Sequence, residues 1–111
     1  MAIGSVRGSV AYRERIAMPA GAEVTVTVAD TSRADAPERV IGRQVIADPG
    51  NVPVPFDVAY DPAEVSERLT YTIRATITVD GALRWTTDTV TPVITRGAPT
   101  EVHLVVRRTG T

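Results

Sequence analysis

Cysteine and lysine are both absent from the 111 residues of this chain, and histidine and tryptophan each occur once. Without cysteine there is no disulfide framework, thiol nucleophile or thiolate metal site, and without lysine there is no Schiff-base nucleophile. No apolar run reaches the roughly 18 residues that span a bilayer, so we expect no transmembrane segment. The formal net charge of −1 argues against a nucleic-acid-binding protein, which normally carries a basic field.

Residues branched at Cβ are abundant, with 17 Val, 15 Thr and seven Ile. Their stiff side chains fit a pleated, half-buried surface, which favours an all-β protein. Alternation of apolar and polar residues predicts seven strands between turn signals. The predicted strands cover residues 6–12, 24–28, 39–47, 56–60, 69–79, 83–91 and 101–108.

Seven short strands in about 100 residues, with turn signals every 8–12 residues, predict an antiparallel two-sheet β-sandwich of immunoglobulin-like shape. A five- or six-stranded barrel is the alternative. We expect one domain over residues 6–108, preceded by a disordered or residual segment over residues 1–5. Pro62 to Arg68 is compatible with one helical turn that has proline in its first position.

The register of the hairpin at Asp80-Gly81 can be predicted from the pattern of its strands. A two-residue turn would mix apolar and polar side chains on each face, whereas a three-residue loop that includes Val79 keeps the faces separate. The three-residue loop places Ile77 opposite Leu83 and Ala75 opposite Trp85, with a bulge, and leaves Arg74 diagonal to Asp88 on the polar face. Direct pairing of Val79 with Ala82 would contradict it.

Several segments together resemble one known family, that of the YbaY/YscW-like bacterial lipoprotein domains. The resemblance covers residues 6–106 in order and spacing, and its motifs are Val6-Arg7-Gly8-Ser9-Val10, the segments 12–19 and 30–37, Pro55-Phe56, Tyr60-Asp61-Pro62, Asp80-Gly81, Thr87-Asp88-Thr89 and the segment 92–97. It implies a small β-sandwich carried on a lipoprotein of the bacterial cell envelope. One branch of that family, the pilotins, helps a type III secretion secretin to assemble in the outer membrane.

The N-terminus, Met1 to Ser5, has neither a signal peptide nor a lipid-bearing cysteine. Two locations therefore stay open at this point. The chain is cytoplasmic if Met1 is the native start, and it belongs to the envelope or periplasm if it is the mature part of an exported protein, as the resemblance implies.

The residues that could form a catalytic or binding site are expected to have structural roles instead. His103 alternates with Val102 and Leu104, which predicts a surface position rather than a catalytic base or ligand. Trp85 is expected in the core near Tyr71 and Ile77 rather than on a sugar-binding surface. Gly42, inside the third strand, indicates a bulge or a close approach of another backbone.

Four carboxylates lie in or near predicted loops: Asp30, Asp35, Asp57 and Asp61. With the hydroxyls of Thr31 and Ser32 they make a small-ligand or calcium-binding domain the alternative function, although their spacing matches no known calcium loop. Asp30 and Asp35 are more readily explained by Asx turns.

Two further carboxylates, Glu14 and Asp88, are expected to form structural ion pairs, Asp88 with Arg74. No catalytic, cofactor-binding or metal-ligating residue is predicted, and the function that these observations favour is a non-enzymatic interaction module. Its expected partner is another envelope protein, bound by a sheet edge or by loops. The first and fourth strands are the expected edges, with Arg7, Arg13 and Arg39 discouraging unwanted pairing.

Overall fold

The computed structural model describes residues 2–110. Within them the chain forms nine strands and one short 3-10 turn. In chain order these are β1 (Gly4–Ala11), β2 (Ala22–Asp30), β3 (Arg39–Ala47), β4 (Val54–Tyr60), the 3-10 turn (Pro62–Glu64), β5 (Tyr71–Val79), β6 (Ala82–Thr86), β7 (Thr91–Val93), β8 (Glu101–Val105) and β9 (Arg107–Arg108).

The strands form two packed sheets, and the predicted β-sandwich is therefore confirmed. The smaller sheet has the order β4-β1-β8, and the larger has the order β3-β2-β5-β6-β9, with β7 also paired to β5. All neighbouring strands are antiparallel except β1 and β8, which are parallel. A parallel pair requires a long crossover, and here nearly the whole chain lies between the two strands.

Alternation along each strand places one apolar face of each sheet in a common core. In β2 the inward residues Val24, Val26 and Val28 are fully buried. Strands β1 and β4 of the other sheet face them with the buried valines Val6, Val10, Val54 and Val58. Trp85 is 2% exposed and lies opposite Ile77 of β5, so its predicted core position is confirmed. The ring that stacks on it is Tyr12.

Several predicted boundaries differ from the structure. β1 begins at Gly4, so residues 4 and 5 of the predicted N-terminal segment lie in a strand, while Met1 lies outside the described residues. The predicted sixth strand divides into β6 and β7, and the predicted seventh divides into β8 and β9. In place of the helical turn predicted from Pro62 to Arg68, the structure has a 3-10 turn of three residues, which Asp61 caps and which ends at Glu64.

The predicted three-residue hairpin loop is wrong. Val79 pairs directly with Ala82, and the positive φ angles of Asp80 (50°) and Gly81 (84°) are those of a two-residue type I′ turn. Thr78 lies opposite Leu83 and Ile77 opposite Trp85, which leaves Arg84 as an extra residue in β6. A bulge two residues beyond the turn thus returns Trp85 to the core face, so the favoured turn and the apolar pattern coexist.

Gly42 lies at a place where the two sheets meet. The pairing of β2 with β3 shifts register beside it, and an added Cβ would lie 2.6 Å from the carbonyl oxygen of Ala59 in β4. Both alternatives predicted for this glycine, a bulge and a close backbone approach, are therefore present. At the opposite side of the sandwich, the chain itself crosses between the sheets at Val106, from β8 to β9.

Candidate interaction surface

The outer side of β8 is an unpaired sheet edge. The ladder between β1 and β8 is bounded by hydrogen bonds from the Arg7 N–H to the Thr100 carbonyl and from the Val106 N–H to the Ala11 carbonyl, each 2.9 Å long. In a parallel ladder alternate residues of a strand bond to the same neighbour. Glu101, His103 and Val105 therefore direct their N–H and C=O groups away from β1, where no described strand pairs with them.

The other edge of the small sheet, on β4, is closed by two devices. Pro55 has no N–H to offer, and the N–H of Asp57 donates to Oε1 of Gln44 in β3 at 2.8 Å. The close approach of Gly42 to Ala59 covers the same edge further along. The first strand, which was predicted to be an edge, lies at the centre of this sheet between β4 and β8. Of the two predicted edges, only the fourth strand has that position.

His103 lies at the middle of the free edge, with its side chain exposed as predicted. Its Nδ1 is 2.8 Å from Oγ of Ser9, the residue opposite it in β1. The pair lies on the outer face of the sheet, so the contact orients the imidazole along the surface. Neither Ser9 nor His103 is among the residues that line the five described clefts.

A basic cleft of about 420 Å³ lies at the end of β8, where the chain steps to β9. Its lining consists of Arg13, Glu14, Val105, Val106, Arg107 and Arg108, and this set is called the basic cleft below. Three arginines and one glutamate line the cleft, and Asp88 adds a second carboxylate beside Arg107, so a small excess of positive charge remains there although the chain has a net charge of −1. Arg107 binds the carboxylate of Asp88 at 2.6 Å, and Arg108 lies over the ring of Trp85, 5.9 Å from its centroid.

The ion pairs differ from those predicted. Asp88 pairs with Arg107 of β9 rather than with Arg74, because β6 ends at Thr86 and Asp88 lies beyond its ladder with β5. Arg74 binds Glu38 instead. Glu14 has none of the four ion pairs found among residues 2–110, since β1 ends at Ala11 and the chain bends before reaching it.

The remaining two ion pairs use arginines that were predicted to protect edges. Arg7 binds Asp57 across the β1–β4 pair at 3.3 Å, and Arg39 binds Glu64 at 3.3 Å. Both arginines are largely exposed, so each pair contributes little to stability.

The loop carboxylates do not converge. Oδ1 of Asp30 accepts hydrogen bonds from the N–H and the hydroxyl of Ser32, which confirms the predicted Asx turn and lowers the pKa of the carboxyl. Asp61 caps the 3-10 turn, and Asp57 lies within β4 rather than in a loop. Asp35 is exposed in the segment between β2 and β3. Over residues 2–110, no three His, Asp or Glu side chains come together as metal ligands would.

The segment 92–97, one of the family-like motifs, forms a strained double turn. The N–H of Thr95 donates to the carbonyl of Val93 at 2.8 Å, and Ile94 between them has a φ of +72°, which is a rare γ-turn for a β-branched residue. Arg96 and Gly97 also have positive φ, and Ala98 donates to the Thr95 carbonyl. The buried Thr95 hydroxyl holds the turn by donating to the Leu69 carbonyl at 2.6 Å.

Sequence reasoning missed the two features that define this surface, the free edge of β8 and the basic cleft. The charge alternation of Arg13 and Glu14 and the pair Arg107-Arg108 are visible in the sequence. Nothing in the local pattern shows that these two segments meet, because they are brought together by the pairing of the first strand with β8. Among the described residues, no helix has the length and apolar character needed to cross a bilayer.

Comparison with known proteins gives one consistent result. A family model described as "Type III secretion system lipoprotein chaperone (YscW)" matches residues 1–106. A curated relative, described as the uncharacterized lipoprotein YbaY of Escherichia coli strain K12, is 38% identical over 94 residues. That match covers 84% of this chain and 50% of the relative, so the chain spans about half the length of the curated protein it matches.

A solved structure is similar over the whole fold. It is described as an alternative pilotin from the type II secretion system of Vibrio cholerae, and it shares 44% sequence identity with this chain. The two structures superpose with a TM-score of 0.93, covering 99% of this chain and 100% of the other.

Proposed function

Since the chain belongs to the type III secretion system lipoprotein chaperone (YscW) family, we propose that it is a non-enzymatic, pilotin-like chaperone of the bacterial cell envelope. In this role it binds another envelope protein and supports its assembly. The family is one of chaperones, and the structural neighbour is a pilotin from a secretion system. The cytoplasmic alternative has no support from these relatives.

The observation that carries the proposal is the likeness to a pilotin over the full length of both chains, at 44% identity and a TM-score of 0.93. At this similarity the relation extends beyond a shared sandwich architecture, which by itself implies no function. The unit that would bind the partner is the sandwich domain of residues 6–108.

The surface chemistry also supports a binding role. A sheet edge with unpaired main-chain groups provides affinity without any special side chain. Neither Ser9 nor His103 lines any of the five described clefts, and the loop carboxylates do not meet, so the calcium-binding alternative gains no site among residues 2–110.

Removal of the protein from its own bacterium tests the proposal. We expect outer-membrane fractions of the deletion strain to contain less assembled secretin multimer, resolved by gel electrophoresis without full denaturation. Expression of the protein from a plasmid should restore the multimer. Unchanged multimer and an unchanged envelope protein profile in the deletion strain would contradict a pilotin-like role.

A further inference from the structure

The unpaired main-chain groups on the free edge of β8 restrict the backbone geometry of a partner that can bind there. Every second residue of β8, namely Glu101, His103 and Val105, directs its N–H and C=O groups to the same side of the strand. An extended strand about 4.8 Å away can form hydrogen bonds with all of these groups in register. A helix or a globular surface satisfies at most one or two of them.

We propose that the partner binds to this edge as an extended segment, antiparallel to β8, with carboxylates near the beginning of that segment held by the basic cleft. This inference rests on the proposed function and adds to it the place and the chemistry of binding. Antiparallel pairing is the commoner and slightly more stable arrangement.

Charge supports the position of the carboxylates. β8 runs from Glu101 toward the basic cleft, so the first residues of an antiparallel segment lie beside Arg13 and Arg107. Arg107 already binds the carboxylate of Asp88, whereas Arg13 has none of the four ion pairs found among residues 2–110, so of these two Arg13 is the guanidinium left to bind a carboxylate of the segment. Guanidinium groups bind carboxylates through charge-assisted hydrogen bonds that are stronger than neutral ones.

The side chains of β8 set a weaker preference along the rest of the segment. The outer face beside the edge carries Glu101, His103 and the half-exposed Val105, whereas the inner face is apolar at Val102 and Leu104. An added strand therefore places its alternate residues against polar and apolar neighbours in turn. A segment of alternating hydroxyl and aliphatic residues fits both faces.

Charge does not favour a second copy of this chain as the occupant. Antiparallel self-pairing centred on His103 would place this histidine opposite its own copy and Glu101 opposite Val105. Neither contact pairs opposite charges, and the strand of the second copy would bring only one carboxylate, that of its Glu101, beside Val105 of the basic cleft.

Amide hydrogen exchange, followed residue by residue by NMR, tests the strand geometry directly. The probe is a synthetic capped peptide of two glutamates followed by alternating threonine and valine. We expect it to slow exchange at Glu101, His103 and Val105 by about tenfold or more, and to leave Val102 and Leu104 unchanged because their N–H groups are already bonded to β1. A peptide with two lysines in place of the glutamates should give weaker protection.

Two pairs of variants separate the main-chain and charge contributions. His103→Pro removes an outward N–H that β1 does not use, whereas the control His103→Thr keeps it. Arg13→Glu reverses a charge of the cleft, whereas the control Arg33→Glu makes the same change in the exposed segment between β2 and β3. We expect the first member of each pair to weaken peptide binding about fivefold or more, and each control to bind as the wild type does.

These experiments separate failure of strand addition at β8 from failure of the pilotin-like function. Equal effects of each variant and its control, or protection that is absent at millimolar peptide, would overturn strand addition at β8. A dimer in solution whose protected amides are the same three would assign the edge to self-association and also overturn it. In the deletion strain, equal restoration of the secretin multimer by the wild-type protein and by the His103→Pro variant would preserve the proposed function and reject this binding mode.

Discussion

Tyr12 and Trp85 stack face to face in the core, with ring centroids 4.7 Å apart and an interplanar angle of 17°. Tyr12 lies just beyond the end of β1 and Trp85 in β6, so the stack joins the two sheets near the point where the chain steps from one to the other. The hydroxyl of Tyr12 donates to the carbonyl of Ile16 at 2.9 Å, which ties the loop carrying Arg13 back onto the core.

Removal of this stack should be costly. We expect Trp85→Ala to lower the free energy of unfolding by about 3–5 kcal/mol, measured by urea denaturation, because a fully buried ring leaves a cavity. Trp85→Phe should cost less than half of that, since it keeps an aromatic ring and since Nε1 of Trp85 has no hydrogen-bond partner among residues 2–110 to lose. Equal losses for the two variants would mean that the ring contacts contribute little.

The parallel pairing of β1 with β8 depends on a glycine. An added Cβ at Gly8 would lie 1.5 Å from the carbonyl oxygen of Val102, and this backbone atom cannot move without breaking the ladder. We therefore expect Gly8→Ala to destabilise the protein by about 3 kcal/mol or more in thermal or urea unfolding. The neighbouring Ser9→Ala, which removes a half-buried hydroxyl and its hydrogen bond with His103, is the control and should cost far less. Normal stability of Gly8→Ala would contradict this packing.

The corrected hairpin register makes a clear prediction for Leu83. It is 48% exposed and lies opposite Thr78, whereas a three-residue loop would have placed it opposite Ile77 in the core. We expect Leu83→Thr to change the free energy of unfolding by no more than about 0.5 kcal/mol. The same change at buried Leu104 should cost about 2–5 kcal/mol. A large loss at Leu83 would favour the other register.

The Asx turn at Asp30 predicts a pH dependence. The hydroxyl and then the N–H of Ser32 bind the ionised carboxylate and hold its pKa below the ordinary value of 3.8. Because the folded-state pKa is depressed, the turn stabilises the fold above the unfolded pKa, and this contribution is lost as the pH falls through the folded pKa. Ser32→Ala should raise the pKa of Asp30 in an NMR titration, and its stability deficit relative to the wild type should shrink in acid. A deficit independent of pH would indicate a purely structural role for the serine.

Much of the fold was predictable because the alternation of apolar and polar residues along each strand determines which side chains face the core. The third strand begins and ends where the pattern predicted, from Arg39 to Ala47, and Val24, Val26 and Val28 point inward as expected. The hairpin prediction was wrong for a definable reason. It assumed that the faces had to be matched at the turn itself, and the chain instead makes the preferred turn and corrects the face with a bulge at Arg84.

The candidate surface was not predictable in the same way. Exposure of His103 followed from its neighbours in the sequence, but the edge on which it lies follows from which strands are adjacent. The loop carboxylates could be identified as turn residues, and the Asx turn of Asp30 confirms this for one of them. The ion-pair partner of Asp88 could not be predicted, because β6 ends at Thr86 and Asp88 then meets Arg107 of β9 rather than continuing the ladder with β5.

The sequence by itself determined the all-β character, the inward position of Trp85 and the polar outer faces, since these depend only on the two-residue period of a strand. The tertiary structure decided which strand is central, which edge is left open and which arginines meet at its end. Those properties depend on contacts between residues about 90 positions apart, such as Ser9 with His103. A local pattern carries no information about such a distance, because the free energy that selects the pairing comes from burial of both sheets together.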